Sequence, residues 1–349
     1  MASRVIQSLT PLQPDYLPQS FVNREDEKAA VESVFANATE SPLRNLYLHG
    51  RRGTGKTHLT QHLLNQLPKT VNTASIPCNR YDTQYKVLKQ VYKAVSNEEI
   101  GDGHHTSELQ RRIENKTSHV KAVFLLDEID FVLLNDGDDL LYYLTRLQNS
   151  NNISIILTSS NHQDLQQQLE ERTYSTLQPE RVSFEPFTAE QTYQALAQRA
   201  EQSLKDRTLQ HEALTYIAST TQNLKLGLTW LRIAAKTAGE TITEALIHEI
   251  QSSAYQAYAD QLLNSFTQQH RLLYQATRKA TNNGETTVNT GKIYGQYRRL
   301  EKEESLSQRR LNTYLKQLEL LQLIQSQYHY GGNKGKTREI RLKRPLENI

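Results

Sequence analysis

GRRGTGKT, residues Gly50 to Thr57, directly follows the apolar run NLYLH and directly precedes the helical run HLTQHLLNQL. Strand, glycine-rich turn and helix in that order form the setting a P-loop requires. Glycines let backbone N–H groups wrap a phosphate, and the helix N-terminus adds the positive end of its dipole. Lys56 is placed to reach the β- and γ-phosphates of a nucleotide, and Thr57 to offer its hydroxyl to Mg²⁺, with Gly53, Thr54 and Gly55 completing the cradle.

Outward from this turn, residues 43 to 184 alternate short apolar runs with helical stretches. Asn45 to His49, Val71 to Pro77, Val120 to Leu126 and Ile153 to Thr158 read as strands, with Thr57 to Gln66, Gln84 to Val95 and Asp138 to Gln148 among the helices between them. The alternation predicts an α/β fold, a parallel sheet with helices on both faces. From Thr188 to about Ala257 the pattern is helical throughout, broken at Thr220 to Asn223, as in an all-α domain. Beyond Tyr258 come further helices and then LLQLIQSQYHYGGNKGKTREIRLK, a helix end feeding two strands around a glycine-rich turn.

VFLLDEID ends an apolar strand in Asp127 and Glu128, 70 residues after Thr57. After a P-loop, Asp127 is placed to hold the magnesium and Glu128 to polarise a water for attack on the γ-phosphate. ISIILTSSN presents Ser160 and Asn161 at the end of the next apolar strand. A polar side chain there can reach the γ-phosphate or the attacking water, which makes Asn161 the candidate for the role called sensor 1 in AAA+ ATPases.

The chain has 349 residues, enough for two or three domains. Its mean hydropathy is -0.68, and no stretch approaches the roughly 20 apolar residues of a membrane span. MASRVIQSLTPLQPDYLP lacks the apolar centre of a signal peptide, and the single cysteine, Cys78, can form no internal disulfide; a cytoplasmic protein without a membrane partner is expected. The net charge of +3 hides an asymmetry: Gln251 to Ile349 carry 16 Lys+Arg against 8 Asp+Glu, a net of +8, while the other 250 residues carry -5. A polyanionic partner for the C-terminal part is the natural suspect.

Taken together, PDYLPQSFVNREDE, HGRRGTGKT, CNRYDTQYKVLKQVY, LLDEIDFVLLNDGDDLLYYLTR, RVSFEPFTAEQTYQALAQRA and TGKIYGQYRRLEKEESLSQRRLNTYLKQLELLQLI resemble the archaeal origin-recognition and cell-division-cycle replication initiators. The segments span nearly the whole chain in that family's order. The resemblance implies an AAA+ ATP-binding domain over 1–185 with an N-terminal adenine-lining segment, a helical lid over 186–257 and a winged-helix DNA-binding domain over 258–349. It also implies roles that spacing does not assign. Phe187 and, twelve positions on, Arg199 match the segment that closes over the nucleotide, although the family more often has tyrosine at the first position. Tyr16, Leu17, Pro18 and Val22 resemble the adenine-lining part, and Arg172 in LEERTYSTL resembles an arginine finger acting on a neighbouring subunit's ATP. In TQNLKLGLTWLRIA, Lys225 stands where the family's sensor 2 has arginine, losing the planar fork. Around Tyr81 to Tyr92, near the point where the family carries an extra helical element, the resemblance implies a second DNA contact, with a plain amphipathic helix as the alternative.

In SQRRLNTYLKQLELLQL, Leu311, Leu315 and Leu318 fall at helical spacing for a core face and leave Arg309, Arg310 and Lys316 elsewhere on the helix. Such a helix can enter a major groove. Lys334, Lys336 and Arg338 flank the glycine-rich tip of the hairpin, as a wing suited to backbone or minor-groove contact. The expected function is an ATP-dependent initiator that grips double-stranded DNA at replication origins, with ATP/ADP and Mg²⁺ at the P-loop and slow hydrolysis as a switch. Further copies of the chain, related initiator subunits or a replicative helicase are its expected protein partners. Two other readings stay open: a DNA-binding regulator or plasmid-maintenance factor whose ATP is scarcely turned over, and a motor-type AAA+ enzyme. Continuous, DNA-stimulated turnover would mark the motor.

Overall fold

The computed structural model describes residues 4–36, 44–101, 103–117, 120–150, 153–161, 164–281, 287–301, 306–330 and 336–343. It divides into two compact units, Met1–Ile247 and His248–Ile349.

The first unit is built on β1 (Leu46–His49), β2 (Val71–Pro77), β3 (Lys121–Asp127), β4 (Ile153–Ser159) and β5 (Glu180–Ser183), in the order β2-β3-β4-β1-β5 and parallel throughout. Strands buried on both faces read as continuous apolar runs, and all seven residues of β4 are buried. Because successive side chains point to opposite faces, the two cores sort by alternation. Phe124 and Leu126 of β3, Ile155 and Leu157 of β4 and Tyr47 of β1 belong to one core. Val123 and Leu125, Ile156, and Leu46 and Leu48 belong to the other. β5 is a strand the sequence pattern did not announce: of its four residues only Val182 is buried, so no apolar run marks it.

The register brings the chemistry-bearing ends together. Pairing of His49 with Ser159 levels the end of β1 with the end of β4, and pairing of Leu126 with Leu157 puts Asp127 beside Thr158. In an open α/β sheet, ligands bind beyond the carboxyl ends of strands where the strand order reverses, and β1, set between β4 and β5, lies at such a point.

Helices Ala189–Ser203, His211–Thr221 and Leu224–Thr237 follow β5 within the same unit. The first opens with a capping box from Thr188 and Gln191, and the last is capped by Asn223, whose side chain accepts from the Leu226 amide. The N-terminal segment lies on the first of them: the amides of Gln7 and Ser8 donate to the Ser203 carbonyl at 2.9 and 3.0 Å, and Tyr16 donates to Gln202 at 2.9 Å.

The second unit contains helices Gln268–Thr281, Thr290–Leu300 and Gln308–Leu320 and an antiparallel sheet in the order β6-β8-β7, with β6 at Val288–Asn289, β7 at Ile324–Tyr330 and β8 at Lys336–Leu342. Leu311, Leu315 and Leu318 are buried, as the helical spacing predicts. Three helices followed by a hairpin, with a short strand between the first two, make a winged helix. Among the described residues no helix is long and apolar enough to cross a membrane.

Candidate nucleotide site and nucleic-acid interface

The P-loop is held from both sides by groups that are distant in sequence. A Cβ on Gly50 would come within 2.2 Å of the Phe184 carbonyl oxygen, and one on Gly53 within 2.3 Å of the Asn223 side-chain oxygen; φ at these residues is +144° and +86°. No other residue fits either position. Asn223 therefore caps its own helix and also donates to the Arg52 carbonyl at 2.8 Å. On the other side stands Arg24, which sequence reasoning passed over. Its buried guanidinium donates to the carbonyls of Thr54 at 3.0 Å and Glu185 at 2.7 Å, pairs with Glu27 at 2.8 Å, and lies 4.1 Å from the centre of the Phe187 ring. Only its place in NREDE, three residues before Glu27, could have hinted at an ion pair.

Lys56 is buried, its ammonium donating to the carbonyls of Gly50 at 2.7 Å and Arg51 at 2.9 Å. Burial, followed by the nearby Arg52 charge, pushes its pKa down to about 8. The Thr57 hydroxyl donates to Asp127 at 2.6 Å, so the two residues expected to hold a cation meet where the P-loop helix begins and β3 ends. Thr158 donates to the same Asp127 oxygen at 2.7 Å and accepts from the Glu128 amide at 2.9 Å. Burial first, and the adjacent Glu128 second, raise the Asp127 pKa. Glu128 carries a φ of +58°, a left-handed conformation uncommon in residues other than glycine. Its carboxylate forms an ion pair with Arg52.

At the end of β4, the Ser159 hydroxyl donates to the buried Asp130 at 2.7 Å and accepts from the Asn161 amide at 3.2 Å, which fixes the backbone that carries Asn161. Phe187 is buried beneath Arg24. Arg199 is buried, donates to the Pro11 carbonyl at 3.2 Å and lies 4.5 Å over the Tyr16 ring, so it meets the N-terminal segment, in which Val22 is half-buried. Lys225 is half-buried in the helix Asn223 caps, its pKa lowered by burial and then by Arg52. Arg172 stands apart from all of these: it is exposed, paired with Glu170 at 2.8 Å and set 4.7 Å from the centre of the Tyr142 ring.

In the second unit, Arg309, Arg310 and Lys316 are exposed on helix Gln308–Leu320, away from its buried leucines. Lys334 lies outside the described residues, and of Lys336 only the backbone, paired with Tyr330, is described. Arg338, expected on the wing for DNA contact, is turned inward. It is 8 % exposed and donates to Ser326 at 2.7 Å and Glu319 at 3.2 Å, because the alternation along β8 turns it toward the preceding helix. In helix Gln84–Ser96, Lys86 and Lys93 are ion-paired with Asp82 and Glu99, and the tyrosine at 92 is part of the core.

Comparison with known proteins bears on both units. Residues 40–169 match the family described as AAA domain, and residues 261–349 match the family described as CDC6, C terminal winged helix domain. The chain is 27% identical over 361 residues to the ORC1-type DNA replication protein 1 of Sulfurisphaera tokodaii, covering 97% of this chain and 90% of that protein. It is 27% identical over 370 residues to the ORC1-type DNA replication protein of Pyrococcus abyssi, covering 98% and 88%. Among solved structures, the Aeropyrum pernix ORC1 protein in complex with DNA superposes with a TM-score of 0.77 at 25% identity, covering 100% of this chain and 97% of that one. Cdc6p from Pyrobaculum aerophilum shares the fold, with a TM-score of 0.65 at 16% identity over 98% and 96% of the two chains.

Proposed function

The chain belongs to the archaeal origin-recognition and cell-division-cycle initiator family of AAA+ ATPases with a C-terminal winged helix, and from that premise we propose that it binds duplex DNA at replication origins and uses ATP binding and slow hydrolysis as its switch. One observation carries the ATPase half of the reading: the contact of Thr57 with Asp127 at 2.6 Å, which joins the P-loop helix to the acidic end of β3. A nucleotide phosphate beside the glycine turns would meet the Lys56 ammonium and loop N–H groups. Thr57 and Asp127 are the residues that would hold Mg²⁺, because a hydroxyl and a carboxylate are the hard oxygen donors this cation prefers. When bound, the cation neutralises charge on the β- and γ-phosphates.

Glu128 is the residue we assign to polarising the attacking water, with Asn161 aiding at the γ-phosphate. Phe187, Arg199 and Val22 are assigned to the surround of the nucleotide, and Lys225 to a weaker contact than the family's arginine. Arg172, exposed and with its partners at Glu170 and Tyr142 rather than in the P-loop, suits action on ATP held by a neighbouring copy or related initiator subunit. For the C-terminal unit, Arg309 and Arg310 are assigned to base edges, and Lys316, Lys334 and Lys336 to phosphates. The exposure of the first three supports this, as does the net charge of +8 from Gln251 to Ile349. A division at 185 and 257 into sheet, lid and winged helix, a nucleoid location in the cytoplasm, and a replicative helicase as a partner belong to the same proposal.

The test separates charge from water handling. Lys56→Ala abolishes ATP binding, whereas Glu128→Gln leaves binding intact and stops hydrolysis. Equal hydrolysis by the wild type and Glu128→Gln would sink the assignment. Rapid turnover driven continuously by DNA would replace the switch by a motor.

A further inference from the structure

We propose that Arg52 is a positioning residue for ATP hydrolysis: its guanidinium draws the Glu128 carboxylate against the P-loop and away from the attacking water, so that turnover requires this ion pair to open. The inference rests on the assignment of Glu128 to that water. Four observations support it.

Arg52 Nη1 pairs with Glu128 Oε1, and the two side chains are only 7 % and 12 % exposed. A charge pair shielded from water is held more firmly than a surface pair, because opening it leaves a charge uncompensated. The other carboxylate oxygen, Oε2, is buried and has no hydrogen-bond partner among the described residues. One oxygen is thus engaged by a cation and the other is buried, an arrangement that turns the carboxylate away from an attacking water. The carboxylate has to swing before it can act.

The backbone cannot supply that swing. Glu128 sits at a φ of +58° with its amide fixed to Thr158, which is itself bonded to Asp127. Residues other than glycine persist in such conformations only where their surroundings hold them. The freedom that remains is in the Glu128 side chain, and Arg52 is what holds that side chain.

Arg52 is also well sited to let go. It is the third residue of GRRGTGKT, and its carbonyl is tied to the Asn223 side chain at the head of helix Leu224–Thr237. Movement of the lid helix, passed through Asn223 to the loop backbone, is therefore what opens the pair, and it stays limiting when ATP is saturating.

The experiment measures kcat at saturating ATP and, separately, the Kd of a fluorescent ATP analogue in EDTA, for full-length wild type, Arg52→Ala, Arg52→Gln, Arg52→Lys, Glu128→Gln and the double variant Arg52→Ala with Glu128→Gln. Arg52→Ala raises kcat about tenfold, as when a restraint of about 1.4 kcal/mol leaves the barrier, while Kd changes much less than kcat. Arg52→Lys, which keeps the charge and loses the fork, falls between wild type and Arg52→Ala. The double variant is as inactive as Glu128→Gln, since the added turnover must pass through Glu128. A kcat that is unchanged or lower in Arg52→Ala with ATP binding intact overturns the inference. If Arg52→Ala folds poorly, Arg52→Gln, which keeps a hydrogen bond and removes the charge, decides in the same way. Should Glu128→Gln itself hydrolyse ATP like the wild type, the assignment of Glu128 fails and takes this proposal with it; loss in Glu128→Gln without gain in Arg52→Ala overturns this proposal alone.

Discussion

Replacing Arg24 by alanine tests whether the nucleotide loop is stabilised from outside itself. The guanidinium donates to Thr54, Glu185, Asn23 and Glu27 at 3.0, 2.7, 3.1 and 2.8 Å, and covers the Phe187 ring. Hydrogen bonds to a charged group contribute about 1.5–3 kcal/mol each, but these four share one side chain and do not add. The better measure is the loss on breaking a buried pair, about 3–5 kcal/mol, and it needs little discount for solvent because the Arg24 and Glu27 side chains are 6 % and 14 % exposed. For a unit of this size, about 3 °C per kcal/mol gives a melting point lower by roughly 10 °C. The chain's single tryptophan, Trp230, is fully buried in the same unit, so its fluorescence reports that unit's transition. Arg24→Lys, which keeps the charge and loses the fork, loses less. ATP affinity falls with Arg24→Ala as well, since the Thr54 carbonyl loses its anchor. A shift in the Trp230 transition below about 2 °C, with ATP affinity unchanged, would refute the idea that Arg24 braces the loop.

Lys56 gives ATP binding a pH dependence. With its pKa at about 8 in the free site, the ammonium is present below that pH and is lost above it, so ATP affinity weakens as pH rises from about 8 toward 10; a flat titration of Kd over that range would reject this. On the proposal that the exposed arginine serves another subunit, Arg172→Ala lowers turnover without weakening ATP affinity, and activity per chain rises with protein concentration; concentration-independent turnover with a fully active variant would remove the idea. Duplex DNA affinity falls steeply with salt, by a log-log slope of about -0.9 per neutralised phosphate. Arg309→Ala or Arg310→Ala reduces preference for the cognate site by about 1–3 kcal/mol if that arginine is bidentate to a guanine. Lys316→Ala weakens all sequences alike, and duplex binding that ignores salt would exclude phosphate contacts.

What could be read from the sequence was what lies close together along it. Gly50 to Thr57 and the apolar strands signal themselves, because a phosphate cradle and a doubly covered strand each need a contiguous run of particular residues. Arg24 escaped notice because its partners are at 54 and 185, and nothing local marks a guanidinium that reaches across a fold. Asn223 reads as an ordinary helix cap until Gly53 is seen against it. β5 is too short and too exposed to show a pattern. The partners of Arg338 escaped notice for a related reason: beside Lys334 and Lys336 it counts as one more positive charge, and only pairing with β7 reveals that it faces Glu319.

The double duty of Asn223 has a consequence for how motion is shared. One amide group closes the first turn of helix Leu224–Thr237 and holds a P-loop carbonyl 171 residues earlier in sequence. Fraying of that turn and wandering of the loop are then a single event, since the side chain cannot leave one partner and keep its geometry on the other. Whatever quiets the loop also slows opening at Leu226, whose backbone proton becomes a distant witness, through its exchange with solvent, to the order of a phosphate cradle it never touches.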